Sequence, residues 1–317
     1  MIDIYREIKG VIQKLDEIEP HVWIHMVAPT EDELQRVADR TGLDIDFLKA
    51  ALDEEERSRL EVDEGQALIL INIPIMRSKL VYVTLPLGII IGQDYIVTVC
   101  IEDIHLIKEL LQRSKVHTGK KNRLLLQILY QTAIIYIDSI RRLNMETRGL
   151  EDHLRKSMEN EEMFGLMEIQ KSLVYLLTAL RANQILMEKL LRSYFRPVYD
   201  KKEDQLPIKL YSDDEDLLED ALTENKQALS MAEVYSNILS GTLDAFASII
   251  SNNLNIVMKF LAAITIILAI PGLVGTFYGM NVLLPLQNNH HAFSFILLIS
   301  GIAVSIAAFI FHKKNML

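Results

Sequence analysis

The chain has 317 residues, half of them hydrophobic, with 33 Lys and Arg against 43 Asp and Glu and a formal net charge of −10. Nucleic-acid binders are normally basic, so the balance disfavours that class and suits a cation-handling or simply a well-solvated surface. A single cysteine, Cys100, excludes a disulfide framework or a cysteine metal site within one chain.

The first residues, Met1-Ile2-Asp3-Ile4-Tyr5-Arg6, lack the basic-then-apolar signature of a secretory signal, so the N-terminal part is expected in the cytoplasm. From Val22 to Cys100 the pattern is mixed. Val22–Val27 predicts a short apolar strand, Thr30 an N-cap with acids behind it for a helix to about Thr41, and Asp44–Leu52 a second short helix. Leu60–Asp63, Ala67–Ile75, Lys79–Leu85, Gly88–Ile91 and Tyr95–Cys100 predict strands, with Leu68–Ile71 and Ile89–Ile91 apolar enough to be buried on both faces. Cys100 then reads as a buried strand thiol. His21 and His25, four apart, fall in a strand-like run, which argues against a metal pair.

After Glu102 the pattern turns helical. Ile104–Ser114 is one expected helix, Lys121 to about Glu159 a long second, and Glu161 to about Tyr194 a third. Leu126, Leu129, Ala133, Tyr136, Ile140 and Leu143, then Leu173, Leu176, Leu177 and Leu180, recur at three-and-four spacing and predict packed faces. Arg196–Leu210, with Pro197, Pro207 and a charged run, predicts a loop. Ser212 followed by Asp213, Asp214, Glu215 and Asp216 opens a last helix, with no Pro until Pro271. If continuous to Tyr278 it is about 100 Å long, so most of it stands in the cytoplasm as a stalk.

Two stretches, Phe260–Phe277 and Ala292–Phe311, carry no charge. Each reaches roughly 27–30 Å as helix, enough to cross the hydrocarbon core. Lys259 flanks the first, His312-Lys313-Lys314 follows the second, and the loop between has no Lys or Arg. The positive-inside rule places both termini in the cytoplasm and the short loop outside.

One edge of the long helix is small or polar almost throughout: Asp220, Thr223, Gln227, Ser230, Val234, Asn237, Gly241, Asp244, Ser248, Ser251, Asn255 and Met258, continuing in phase through Ala262, Thr265, Ala269, Gly272 and Thr276. Close helix packing accounts for Ala262, Ala269 and Gly272. It does not account for Asp244, Asn255 and the polar run above them, which predict a wet path. Two helices per chain cannot enclose such a path, so several copies must gather round an axis. The first span stops at Gly279-Met280-Asn281. A helix end leaves carbonyls unpaired and partly negative, and a ring of Asn281 amides would add hard oxygen acceptors able to hold a hydrated cation without stripping it.

Tyr278-Gly279-Met280-Asn281 before a second span resembles the CorA-type magnesium and cobalt transporters. The resemblance extends through Leu239–Asp244 and Asn255–Leu261, and more faintly to Val22-Trp23-Ile24 and Arg57–Glu61. It implies an α+β cytoplasmic domain, an α/β/α sandwich, with a long stalk helix and two C-terminal transmembrane helices, in a homopentameric funnel in the cytoplasmic (inner) membrane. On this chain that means a cytoplasmic domain over 1–210, a stalk over 211–258, the first span and motif over 259–281, the exterior loop over 282–291, the second span over 292–312 and a basic tail over 313–317. The implied function is passage of Mg2+ and Co2+ down the electrochemical gradient. Gly279, Met280 and Asn281 would select the ion. Asp244, Ser248, Ser251, Asn255, Met258, Leu261, Thr265, Ala269, Gly272 and Thr276 would line the pore. Asp220 matches an acid of an intersubunit regulatory metal site at which the ion inhibits its own entry. The expected partners are other copies of the chain, lipid and divalent cations, with no nucleic acid and no cofactor beyond the cation itself.

Two departures stand out. Lys49 and Ala50 occupy positions where relatives often carry an acidic pair; Asp53, Glu54, Glu55 and Glu56 just after them either substitute or form a solvated acidic turn. The exterior loop has no carboxylate, and its His290 and His291 offer nitrogen to Zn2+, Co2+ or Ni2+ or are merely polar headgroup residues. A zinc or nickel transporter of the same fold, with or without proton coupling, is therefore the alternative, and a membrane-anchored sensor or scaffold a further one. No catalytic constellation supports an enzyme: Gly119-Lys120-Lys121 lacks the first glycine and the hydroxyl of a phosphate loop.

Overall fold

The structure, a computed structural model, describes residues 1–8, 11–113, 116–157, 160–195, 212–282, 284–285 and 290–316. In chain order these form β1 (Ile2–Ile8), β2 (Val11–Leu15), β3 (Trp23–Val27), α1 (Glu31–Thr41), α2 (Ile45–Ala50), β4 (Arg59–Asp63), β5 (Gln66–Met76), β6 (Tyr82–Ile91), β7 (Ile96–Cys100), α3 (His105–Arg113), α4 (Lys121–Ser157), α5 (Asn160–Phe195), α6 (Ser212–Tyr278) and α7 (Ala292–Lys313). They divide into two compact units, Met1–Ser240 and Gly241–Leu317.

Unit 1 is built on a seven-stranded sheet in the order β2-β1-β3-β7-β6-β5-β4. Only the β3–β7 pair is parallel. The two-residue period of a strand sends successive side chains to opposite faces. Along β5, Ala67, Ile69, Ile71 and Ile73 enter one core, while Leu68 and Leu70 enter the other. α1 and α2 cover the second face through Val37, Phe47 and Leu48. α3, α4, α5 and the first turns of α6 cover the first face. The expected three-layer α/β/α sandwich is thus present.

Local chemistry explains the helix ends. Thr30 and Glu33 form a capping box, and Gly42 closes α1 in the left-handed region at φ 70°. Asp44 caps α2 by accepting from the Asp46 amide. At Gly88 the need for glycine is steric: an added Cβ would lie 2.8 Å from Ala51 Cβ at the end of α2. Gly88→Ala should therefore cost about 1–3 kcal/mol, read as a lowered melting temperature.

His25 lies in β3, opposite Asp3 on β1 and Thr98 on β7. Its Nδ1 is 2.9 Å from Thr98 Oγ1, which also accepts from Trp23 Nε1 at 2.9 Å. Burial holds the ring neutral, with its pKa pushed down to about 4 despite the carboxylates of Asp3 and Asp103. Unfolded, an imidazole takes its proton near pH 6.5, so the unfolded chain binds more protons between those values. The stability due to the neutral ring is complete above pH 6.5 and is lost as pH falls towards 4. The loss is about 3 kcal/mol. Melting of the solubilised protein at pH 7 and pH 4.5 should show it, and His25→Gln should shrink the difference. Cys100 is indeed a buried strand thiol, its pKa pushed up to about 12 by burial.

The strand expectations change in two places. β1 and β2 were not anticipated. The expected strands Lys79–Leu85 and Gly88–Ile91 merge into one, β6, which starts only at Tyr82 and is interrupted by neither Pro86 nor Gly88. Residues 196–210, expected as a loop, lie outside the described residues.

Candidate ion pathway

α6 runs unbroken from Ser212 to Tyr278, with Pro271 inside it. In unit 1 one face is anchored: Leu218, Ala221, Leu222, Asn225, Ala228, Ala232 and Leu239 are buried. Exposed ion pairs flank it, Arg181–Glu233 at 2.8 Å and Lys226–Glu188 at 3.6 Å. The opposite edge carries Asp220, Thr223, Gln227, Ser230, Val234 and Asn237, and every one of them is exposed.

In unit 2 α6 is exposed on nearly every side, apolar residues such as Leu254, Val257, Phe260, Leu268 and Leu273 included. On α6, Ala263 is buried and Ile264, Ile267, Ile270, Val274 and Tyr278 are partly covered. On α7 the partly covered residues include Ile296, Ser300, Ala303, Val304, Ala307 and Phe311. These positions recur along one line of each helix. Asp244, Ser248, Ser251, Asn255, Met258, Leu261, Thr265, Ala269, Gly272 and Thr276 remain exposed in the single chain. The hydroxyls of Thr265 and Thr276 donate to the carbonyls of Leu261 and Gly272, each at 2.7 Å, which leaves their oxygen lone pairs as acceptors.

At the end of α6 the carbonyls are less bare than expected. The Gly279 amide donates to Gly275 O at 2.9 Å and to Thr276 O at 3.2 Å, and the Met280 amide to Phe277 O at 3.4 Å. The cap withdraws part of the negative end. Gly279, Met280 and Asn281 are exposed. His290 is exposed too, and the His291 carbonyl accepts from Phe295 N at 3.1 Å, starting α7.

The acidic residues of unit 1 divide. Asp53 caps its own turn, its carboxylate accepting from the Glu55 amide at 3.0 Å. Glu54 and Asp220 are exposed. Lys49 pairs with Glu31 at 2.8 Å. Among the described residues of one chain, no group of three or more His, Cys, Asp or Glu side chains is placed to hold a metal.

Sequence reasoning missed a buried amide network. Asn183 of α5 and Asn225 of α6 are both fully buried. Asn183 Oδ1 accepts from Ser58 Oγ at 2.8 Å and from the Asn72 amide at 3.0 Å, and its Nδ2 donates to Asn72 O at 2.8 Å. Tyr136 Oη donates to the same carbonyl at 2.8 Å. Asn225 Nδ2 donates to Leu180 O at 3.0 Å. The one signal was an amide at an otherwise apolar helix face.

By length and composition α5, like α6 and α7, is apolar enough to cross a membrane. Its Asn183 bonds to β5, and the bond from the Tyr82 amide to its Ser172 at 2.9 Å, tie it to the sheet.

The CorA-like Mg2+ transporter protein family model matches residues 19–313. The chain is 29% identical to the cobalt/magnesium transport protein CorA of Methanocaldococcus jannaschii, over 99% of this chain and 98% of that one. The complete structure of the CorA magnesium transporter of that organism superposes with a TM-score of 0.84 at 27% identity, covering 100% of this chain and 99% of the other. The ZntB cytoplasmic domain of Vibrio parahaemolyticus, at 14% identity and a TM-score of 0.57 over 80% of this chain and 97% of its own, shares the fold alone. A full-length pattern match, a shared fold and a polar-edged span ending in Gly-Met-Asn agree: this chain belongs to the CorA-like Mg2+ transporter family.

Proposed function

We propose that this chain is one subunit of a homopentameric channel that passes Mg2+, and Co2+, across the cytoplasmic membrane. One observation carries the reading. From Asp220 to Asn237 one edge of α6 is left open while the face behind it is buried in unit 1, and the same edge continues in phase, mostly small or polar, through the apolar span to Thr276. An edge of Asp, Asn, Ser and Thr beside hydrocarbon is costly unless it meets water or its own kind. Copies around an axis satisfy it, and the axis is the conduit.

Segment by segment, 1–210 is the cytoplasmic domain and 211–258 the stalk, 259–281 the first span with its motif, 282–291 the exterior loop, 292–312 the second span and 313–317 the tail. Both termini lie in the cytoplasm. Gly279, Met280 and Asn281 receive the hydrated ion at the outer mouth, where amide oxygens accept from its water shell. The ion then passes the edge from Thr276 to Asp244. A potential of 100 mV, negative inside, drives a divalent cation with about 4.6 kcal/mol, so no nucleotide is needed. Asp220 of one copy, with Asp53 and Glu54 of the next, holds the regulatory cation whose occupancy favours the closed state. Neutralising facing acids lets copies approach, and losing the ion leaves like charges apart.

Flux into proteoliposomes with Mg2+, Co2+, Ni2+ and Zn2+ side by side, together with the mass of the purified particle, tests the reading. Saturable Mg2+ and Co2+ entry through a particle of five chains is expected. Zn2+ entry without Mg2+ entry would transfer the function to the alternative cation, and a monomer or dimer would remove the pore.

A further inference from the structure

The acidic turn at Asp53–Glu56 and the helix that carries the polar edge are not adjacent in sequence, yet a short path of buried and partly buried polar bonds joins the segments that bear them. Ser58, two residues past that turn, donates to Asn183 Oδ1 at 2.8 Å. Asn183 lies on α5, and three residues before it, on the same helix, Leu180 O receives Asn225 Nδ2 of α6 at 3.0 Å. Both asparagines are fully buried. All of these groups belong to unit 1.

Asn225 is an awkward residue for mere packing. Its Oδ1 is buried with no hydrogen-bond partner. Its neighbours on the same face of α6, Leu218, Ala221, Leu222, Ala228 and Ala232, are all apolar, so another apolar residue would have met the packing need. The bond it makes is also redundant for α5, because a mid-helix carbonyl such as that of Leu180 already accepts from the amide four residues on. What the amide adds is position. An apolar face slides with little change in area, whereas one directed bond to one carbonyl selects one axial and rotational setting. The flanking ion pairs, Arg181–Glu233 and Lys226–Glu188, are exposed and hold register weakly.

We propose that Asn183 and Asn225 are positioning residues that fix the register of α6 on α5 and couple the 53–58 segment to the pore helix. A cation bound at the acidic turn moves Ser58, hence Asn183 and α5, and α6 follows because Asn225 grips the Leu180 carbonyl. The register claim stands on the structure of unit 1. The coupling claim rests on the self-inhibition proposed above.

The test compares wild type, Asn225→Leu, Asn225→Ser and, as a control for an exposed contact, Arg181→Ala, in the full-length protein. Spin labels at Thr178→Cys on α5 and Ser230→Cys on α6, both exposed positions, report the register. Labelled chains are diluted among unlabelled ones so that each particle carries one pair, and Cys100 is buried and stays unlabelled. Flux into proteoliposomes at graded internal Mg2+ reports the coupling. Wild type and Arg181→Ala should give one narrow distance distribution. Asn225→Leu should broaden or split it, with no loss of melting temperature, and should raise the internal Mg2+ needed for half-inhibition about fivefold. Asn225→Ser, which keeps a short donor, should fall between. An unchanged distribution in Asn225→Leu overturns the register claim whatever the flux does. A broadened distribution with unshifted half-inhibition overturns the coupling. A wild type indifferent to internal Mg2+ overturns the coupling and the proposed self-inhibition together, while the distance arm still decides the register claim.

Discussion

Asn281→Ala should lower Mg2+ entry into proteoliposomes at least about tenfold, equivalent to roughly 1.4 kcal/mol of lost stabilisation, with the particle's mass unchanged. Asn281 is exposed just past the end of α6, so its removal disturbs no packing. In a ring of copies the substitution deletes every Asn281 amide at once. The capped carbonyls of Gly275, Thr276 and Phe277 are already engaged by the Gly279 and Met280 amides and are poor substitutes. Asn281→Gln keeps the acceptor on a longer arm and should retain partial entry. Wild-type flux in Asn281→Ala would remove the amide ring from the mechanism.

Asn183→Leu should destabilise unit 1 by about 3 kcal/mol, because it strands the partners of a buried amide. β4 pairs with β5 only from Gln66 to Leu70, so beyond it the backbone of Asn72 has no strand on that flank. Asn183 takes the strand's place, accepting from the Asn72 amide and donating to its carbonyl. Leucine fills a similar volume but leaves that amide and the Ser58 hydroxyl without the acceptor they share. For a domain of this size the melting temperature should fall by roughly 6–12 °C. An unchanged melting temperature would mean that water replaces the amide at no cost. The contrast with Asn225→Leu is the informative part. The two residues look alike in sequence and burial, but only one leaves orphaned donors behind.

Much of this was legible in the residues. Thr30 followed by Glu33 carries its capping chemistry locally, and Ser212 with four acids behind it marks a helix start that α6 confirms. Leu126, Leu129, Ala133, Tyr136, Ile140 and Leu143, picked out by spacing, are all buried. The alternation of β1, by contrast, is diluted by Asp3, Arg6 and Glu7, and β2 is a five-residue edge strand with no fully buried position and no alternation to reveal it. β6 looked like two strands because Pro86 and Gly88 normally punctuate. Pro86 is tolerated because it lies beyond the end of β7, which pairs only with Leu87–Ile91, and because Asn72 opposite it bonds to Asn183 instead. Gly88 is there for the close approach of Ala51, a long-range contact that no local pattern announces. The amide network escaped for the same reason, since Ser58, Asn72 and Asn183 meet only through the fold. The polar edge of α6 was readable because it depends on nothing but helical period.

The division of α6 between a face buried in unit 1 and an edge left open has an evolutionary corollary. Drift on the first can be matched within the same polypeptide, by a compensating change on α5. On the second, in the proposed assembly, one gene writes every copy, so each new side chain arrives all round the axis simultaneously and faces only itself. Lineages should therefore accept fewer replacements along the open edge than the bare accessibility of a lone chain implies.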